Sequence, residues 1–190
     1  MGTRGAVGFR TDGTDKVTYN HFDSYPSSLG NQVTQFLKGF KDVEALKKIA
    51  ENIVLIDESS KPTKKQKVEA KELGLFDGNV SSQSDDWYCL LRLAQGDLSV
   101  YEKFKYMIDS HEFLKDSLFC EWAYIINLDS EKLEIYRGFN KDRNAAGRYA
   151  QLIQKESDEY FGVALHSAIP LKDIFGKDID LTFIEQEDDE

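Results

Sequence analysis

The hydrophobic pattern of this chain opens with alternation. Residues 5–11 put Val7 and Phe9 on one side and Ala6, Gly8 and Arg10 on the other, the period of two that marks a strand. Asp12-Gly13 follows, a hairpin turn signal because both residues tolerate positive φ. From Lys16 to His21 the alternation resumes and groups Val17, Tyr19 and His21, so the first twenty-one residues are predicted to form a β-hairpin. Phe22 to Ser28 reads as a loop in which Pro26 holds Tyr25 extended and Ser27 or Ser28 offers a helix cap. The next helix carries the stripe Leu29, Val33, Phe36 and Leu37, and another starts near Asp42 with Val43, Leu46, Ala50 and Ile53.

Residues 57–86 break this regularity. Lys64 to Lys67 has helical character, but Gly78 to Asp86 is rich in Ser and Asp, and the whole stretch is expected to be a mobile, solvated excursion. Trp87, Leu90, Leu91 and Ala94 then mark a helix ended by Gly96, and Asp97 caps a further one with Val100, Tyr101, Phe104 and Ile108. Trp122 to Leu128 is apolar on both faces and predicts a central strand, which turns through Asp129–Lys132 into Leu133–Arg137 as a second hairpin. Residues 141–155 are predicted helical. Phe161 to Ile169 predicts a late strand, with Phe161, Val163, Leu165 and Ile169 on one side and the small set Gly162, Ala164, His166 and Ala168 on the other. Two hairpins, a late strand and an intervening helical block imply an α+β fold: a mostly antiparallel sheet with helices packed on one side. A single domain over residues 1–184 and an acidic tail over 185–190 complete the expected organisation.

Composition narrows the function classes. With 41% hydrophobic residues the 190-residue chain can fill a core, and a net charge of −10 argues against nucleic acid as a partner except by mimicry, and against anionic membranes. No apolar run approaches a membrane span and the N-terminus lacks a signal-peptide pattern, so a soluble, cytoplasmic protein is expected. Cys89 and Cys120 sit in apolar elements and read as free thiols. No phosphate-loop, dinucleotide, Gly-x-Ser-x-Gly or kinase signature occurs, and three scattered histidines give no metal-ligand spacing, so neither cofactor nor metal is expected. The lysines of 61–71 are interrupted by acids and lack interleaved aromatics, which reads as a solvated face. The pattern specifies no oligomeric state.

Candidate chemistry concentrates at the exit of the first hairpin, Asn20-His21-Phe22-Asp23-Ser24-Tyr25-Pro26. His21 can exchange a proton near neutral pH and Asp23 can orient it or act as a base, so these two are the candidate catalytic pair. Asn20, Ser24 and Tyr25 are candidate binding residues, and Arg4 can hold a carboxylate or phosphate in a forked contact. His166, on the small face of the late strand, joins this site if that strand neighbours the first hairpin, and Arg137 ends the second hairpin within possible reach. The same residue types also suit a plain loop, in which Asp23 and Ser24 bond the backbone and His21 is a satisfied histidine. Two functional readings follow: a ligand-binding or hydrolase/transferase-like protein acting on a small anionic ligand, and a non-enzymatic interaction protein that engages a host protein through its acidic surface and exposed aromatics.

Met1-Gly2-Thr3-Arg4-Gly5, followed by Tyr19-Asn20-His21-Phe22-Asp23-Ser24-Tyr25-Pro26-Ser27-Ser28-Leu29-Gly30, resembles a family of uncharacterised proteins seen in viral, bacterial and fungal sequences. Its members open with Gly-Thr-Arg and carry an aromatic-Asp-Gly/Ser-Tyr-Pro motif about twenty residues later, and Tyr136-Arg137-Gly138-Phe139 matches a similar closing pattern. The resemblance covers little beyond the first thirty residues and implies no activity; it marks Gly2, Thr3, Arg4, Asp23, Tyr25 and Pro26 as motif residues and implies a virus-associated origin. A looser likeness to hydrolases with an N-terminal nucleophile stops at position 2, where Gly2 supplies no nucleophilic side chain.

Overall fold

A computed structural model describes residues 2–75, 86–153 and 159–186. Strands β1 (Gly5–Thr11) and β2 (Thr14–Asn20) form the predicted hairpin, with Gly5 opposite Asn20 and Val7 opposite Thr18. At the turn, Asp12 and Gly13 have φ of +49° and +72°, and both of their N–H groups donate to the Asp129 carboxylate. Strand β5 (Trp122–Asn127) is buried along its whole length, as a continuous apolar run requires. It lies parallel to β1 and antiparallel to β6 (Lys132–Arg137), and β7 (Ala164–Pro170) closes the sheet in the order β2-β1-β5-β6-β7. One parallel pair in a mostly antiparallel sheet, with helices beside it, is the α+β class that the hydrophobic pattern implies.

The helices cover one face. A wide helical turn at Pro26–Gly30 runs into α1 (Asn31–Lys38), and α2 (Val43–Asn52) follows with Asp42 as its cap. Leu29, Val33, Leu37, Leu46 and Ala50 bury against Val7, Phe9, Tyr124, Ile126, Leu133 and Ile135. Each large side chain removed from water in this way contributes about 1.5–3 kcal/mol. The expected Ser27 or Ser28 cap is absent because the helical turn begins earlier, at Pro26, and Gly30 N–H donates five residues back to the Tyr25 carbonyl.

The opposite face is covered without an α-helix, which corrects the helix predicted over 141–155. Tyr149 and Val163 from this region, with Leu114, bury Ala6, Val17, Ala123, Ile125 and Tyr136, but the described chain there consists of turns and bends. Asn140 and Asp142 accept N–H bonds from residues two positions on, which competes with helix formation, and Gly147 has φ of +101°. Residues 154 and 155 of the predicted helix lie outside the described residues.

A small second sheet was not legible in the sequence. β3 (Val54–Ile56) pairs in parallel with β4 (Tyr106–Ile108), so the helix predicted to reach Ile108 ends in a short 3₁₀ turn at Leu98–Glu102. Val100, Phe104 and Ile108 repeat every four residues, a spacing that suits a helix face and an alternating strand alike; pairing with β3 decides. Within the segment expected to be a solvated excursion, α3 (Lys64–Glu72) forms behind a Thr63–Gln66 capping box. Ala70 and Leu75 are buried there with Trp87 and Leu90 of α4 (Trp87–Leu90) and with Phe104. Residues 76–85 lie outside the description.

Two further differences have local causes. β7 carries a bulge at His166: Ile135 pairs with Ser167 and Tyr136 with Leu165. The extra residue reverses the alternation, so Leu165 packs on the face of Tyr136 and Ile169 on the helical face, not on one side together. At the C-terminus, Glu185 belongs to α5 (Thr182–Gln186) and accepts the Ser27 N–H at 2.6 Å; residues 187–190 of the expected acidic tail are outside the description. Among the described residues no helix is long and apolar enough to cross a membrane.

Candidate functional site

The two N-terminal motifs meet in space. Ser24 N–H donates to the Thr3 carbonyl at 3.0 Å, and Thr3 is itself buried. A Cβ on Gly5 would lie 2.4 Å from the Trp122 carbonyl oxygen and 2.6 Å from the Ser24 side chain, so only glycine allows this approach. Asn20 Nδ2 donates to the Phe22 carbonyl at 2.6 Å and to Ser24 Oγ at 2.8 Å, and the Tyr124 hydroxyl donates to the Ser24 carbonyl at 3.0 Å. Asn20 and Ser24 are therefore spent on holding the loop: both are buried and bonded within the fold. Asp23 is held at φ of +48°, a left-handed conformation that Asp tolerates.

What the knot frees is the rim. His21, Phe22 and Asp23 line a hollow of about 380 Å³ with Gln32 of α1 and with Tyr88, Arg92 and Gln95 from the segment after residue 86. Tyr88 and Gln95 also line an adjoining hollow of about 340 Å³, whose other walls include Tyr19, Tyr101, Phe113, Glu58 and Asp109. Sharing Tyr88 and Gln95, the two hollows adjoin as one cleft between β2 and the 88–113 segment, with Arg92 and Asp23 in the first and Glu58 and Asp109 in the second. His21 is bonded through Nδ1 not to Asp23 but to the Tyr19 hydroxyl, 2.7 Å away. Burial pushes the Tyr19 phenol up from its ordinary value, against a smaller lowering by Arg4, so the phenol stays protonated at neutral pH. Tyr101, wholly buried beside Thr18, is raised for the same reason. The Arg92 guanidinium sits 5.9 Å from the Tyr88 ring centroid, a cation–π contact that holds it beside the cleft.

The remaining candidates lie elsewhere. Arg4 and Tyr25 line a separate hollow of about 390 Å³ with Leu118, Phe119, Glu121 and Phe139, and the Arg4 guanidinium stacks over Phe119 at 5.5 Å. His166 meets the site only if its strand neighbours the first hairpin, and it does not: β7 is the far edge of the sheet, separated from β1 by β5 and β6. There Arg137 stacks over Trp122 at 4.5 Å, and the His166 ring lies 6.0 Å from the same indole. Tyr19, Tyr88, Arg92 and Gln95 were missed by sequence reading. Tyr88, Arg92 and Gln95 stand four and three apart, beside the buried stripe of Trp87, Leu90, Leu91 and Ala94, so a second polar face was there to find. Among the described residues no group of three or more His, Cys, Asp or Glu side chains could hold a metal ion.

Comparison with protein-family models, with curated proteins and with solved structures finds no match to this chain.

Proposed function

We propose that the protein binds a small anionic ligand in the cleft beside β2, its anionic group between His21 and Arg92 and its body against Tyr19, Tyr88 and Phe113. The observation that carries this reading is the convergence of His21, Asp23 and Arg92 on one hollow, from elements about seventy residues apart in the chain. Arginine supplies a planar fork for carboxylate or phosphate, and aromatic walls suit an apolar or planar body. Hydrolytic or group-transfer chemistry is the finer form of the proposal. The Tyr19 hydroxyl engages Nδ1, which leaves Nε2 as the ring nitrogen of His21 for proton exchange, and Asp23 is the second acid–base group on the rim. A cytoplasmic setting belongs to the same proposal, since both cysteines are free thiols. So does membership of the Gly-Thr-Arg family, supported by the mutual bonding of its two motifs through Thr3 and Ser24.

The test is a thermal-shift panel of carboxylates and sugar monophosphates on the parent chain, Arg92→Ala and Asp23→Ala. A ligand at a hundred times its Kd stabilises the parent by roughly 2.7 kcal/mol. That shift is expected to vanish in Arg92→Ala while its unliganded melting is unchanged. A shift retained in full by both variants removes the cleft from the reading.

A second reading, an interaction protein that engages a host protein, rests on one observation. Phe119, Phe139, Leu118 and Tyr25 are 48%, 48%, 40% and 42% exposed around Arg4, an aromatic rim of the kind enriched at protein interfaces.

A further inference from the structure

On a chain of net charge −10, one hollow is rimmed by four exposed lysines. Its volume is about 710 Å³, the largest of the hollows described above. Lys64, Val68 and Glu72 project into it from one side of α3 at intervals of four, with Lys65 and Glu69 beside them. Lys103 and Lys105 complete it from the other side; they flank Phe104, whose full burial turns both neighbours outward. Among the described residues none of the four lysines is in an ion pair; Lys105 lies over the Tyr106 ring at 5.4 Å.

The placement of the α3 lysines is not explained by helix stability. The N-terminus of a helix carries partial positive charge and favours acidic residues, yet the first turn of α3 holds Lys64 and Lys65 and no acid. Each cation there opposes the helix dipole, and the capping box has to hold the turn instead. The sequence reading of the 61–71 lysines as a plain solvated face lacked two things that the fold supplies. Lys103 and Lys105 arrive from forty residues away, and Tyr106 with the 54% exposed Val68 gives the hollow an apolar floor.

We infer that this hollow is a binding site for an oligophosphate group, distinct from the cleft beside β2. Four ammonium groups against two carboxylates leave the concave rim net positive, and match a compact ligand with several negative charges better than a single carboxylate. Glu69 and Glu72 bound the site on one wall and exclude a flat, extended polyanion from that side, which favours a short chain of phosphates.

The experiment is isothermal titration at low and moderate salt with two probes, inorganic tripolyphosphate and a nucleoside triphosphate. The proteins are the parent, Lys64→Gln/Lys103→Gln and Arg92→Ala. Exposed lysines of this kind are replaced with little effect on stability, which unliganded melting checks. Binding of both probes is expected, weakened about tenfold or more in the lysine double variant, unchanged in Arg92→Ala, and falling as salt rises. Equal affinities assign recognition to the phosphates alone, and tighter nucleotide binding adds the ring on Tyr106 and Val68; both support the site. No binding at low salt, or binding lost only in Arg92→Ala, overturns it, and the second outcome leaves the cleft proposal intact.

Discussion

The two faces of the five-stranded sheet are held by different physics. On the helical face α1 and α2 lay conventional apolar stripes over Val7, Phe9, Tyr124 and Ile126, and the contact is made by shape and area. The other face carries a charged centre. Glu134, 8% exposed, accepts from Asn127 Nδ2 at 2.8 Å, from the Tyr136 hydroxyl at 3.0 Å and from Arg148. The Arg148 guanidinium lies over Tyr149 at 4.7 Å and pairs at 3.7 Å with Asp15, itself bonded to Arg10 at 2.9 Å. Regular structure can cover a sheet with patterning alone, whereas an irregular segment needs specific polar ties. The 141–153 chain is fixed by Arg148 and by Asn140, whose Nδ2 donates to the Ala150 and Gly162 carbonyls.

That contrast can be broken most directly at Glu134. Glu134→Ala removes the nearest carboxylate from Arg148, leaving it only the longer pair with Asp15, strands two other donors, and is expected to cost about 3 kcal/mol in urea unfolding. A loss below about 1 kcal/mol would remove the charged centre as the tie. The isosteric Glu134→Gln sharpens the point: it keeps volume but removes charge, so it should remain clearly destabilising, while the volume-conserving Leu37→Met on the helical face costs under about 1.5 kcal/mol. Next in size is Asn140→Ala, which frees two carbonyls and an N–H. It is expected to cost roughly 1–3 kcal/mol, with faster amide exchange confined to the segment around 141–153.

Alkaline pH tests both faces together. Burial raises Cys120 above its ordinary 9.0 and Tyr136 above its ordinary 10.0 on the charged face, and raises Tyr124 on the helical face. The folded state then keeps protons that the unfolded chain releases, so this stability is whole below about pH 9 and is lost as pH rises further. The urea midpoint should fall progressively above pH 9, and Tyr136→Phe should flatten the decline; a midpoint that does not move would contradict the buried, protonated assignment. The smallest effect is expected at Lys38, whose exposed pair with Asp178 at 2.5 Å lies outside both cores. Lys38→Ala should leave the midpoint unmoved, against the large loss at Glu134.

Legibility followed the same division. The first hairpin, its Asp12-Gly13 turn, the stripes of α1 and α2 and the buried β5 were readable because each is set by neighbours within a few residues. The predicted helix over 141–155 failed where Asx bonding and a positive φ at Gly147 met long-range ties. The slip in β7 came from one bulged residue, His166, which no alternation pattern can announce. At the candidate site, His21 and Asp23 were visible as residue types, but Asn20 and Ser24 turned out to be internal ties of the loop. Arg92 and Tyr88, which complete the cleft, lie too far along the chain for spacing to associate them with His21.

By itself, then, the sequence determined the fold class, the order of the main elements and the loop that carries the rim residues, since turn chemistry and periodicity act locally. Only the tertiary structure decided which side chains share a hollow. It joined Arg92 to His21 in the cleft and Lys103 to Lys64 in the basic hollow, and it separated His166 from the cleft by the width of the sheet. Those pairings depend on strand order and on buried contacts between distant segments, which are fixed by the packing of the whole chain and not by the residues on either side.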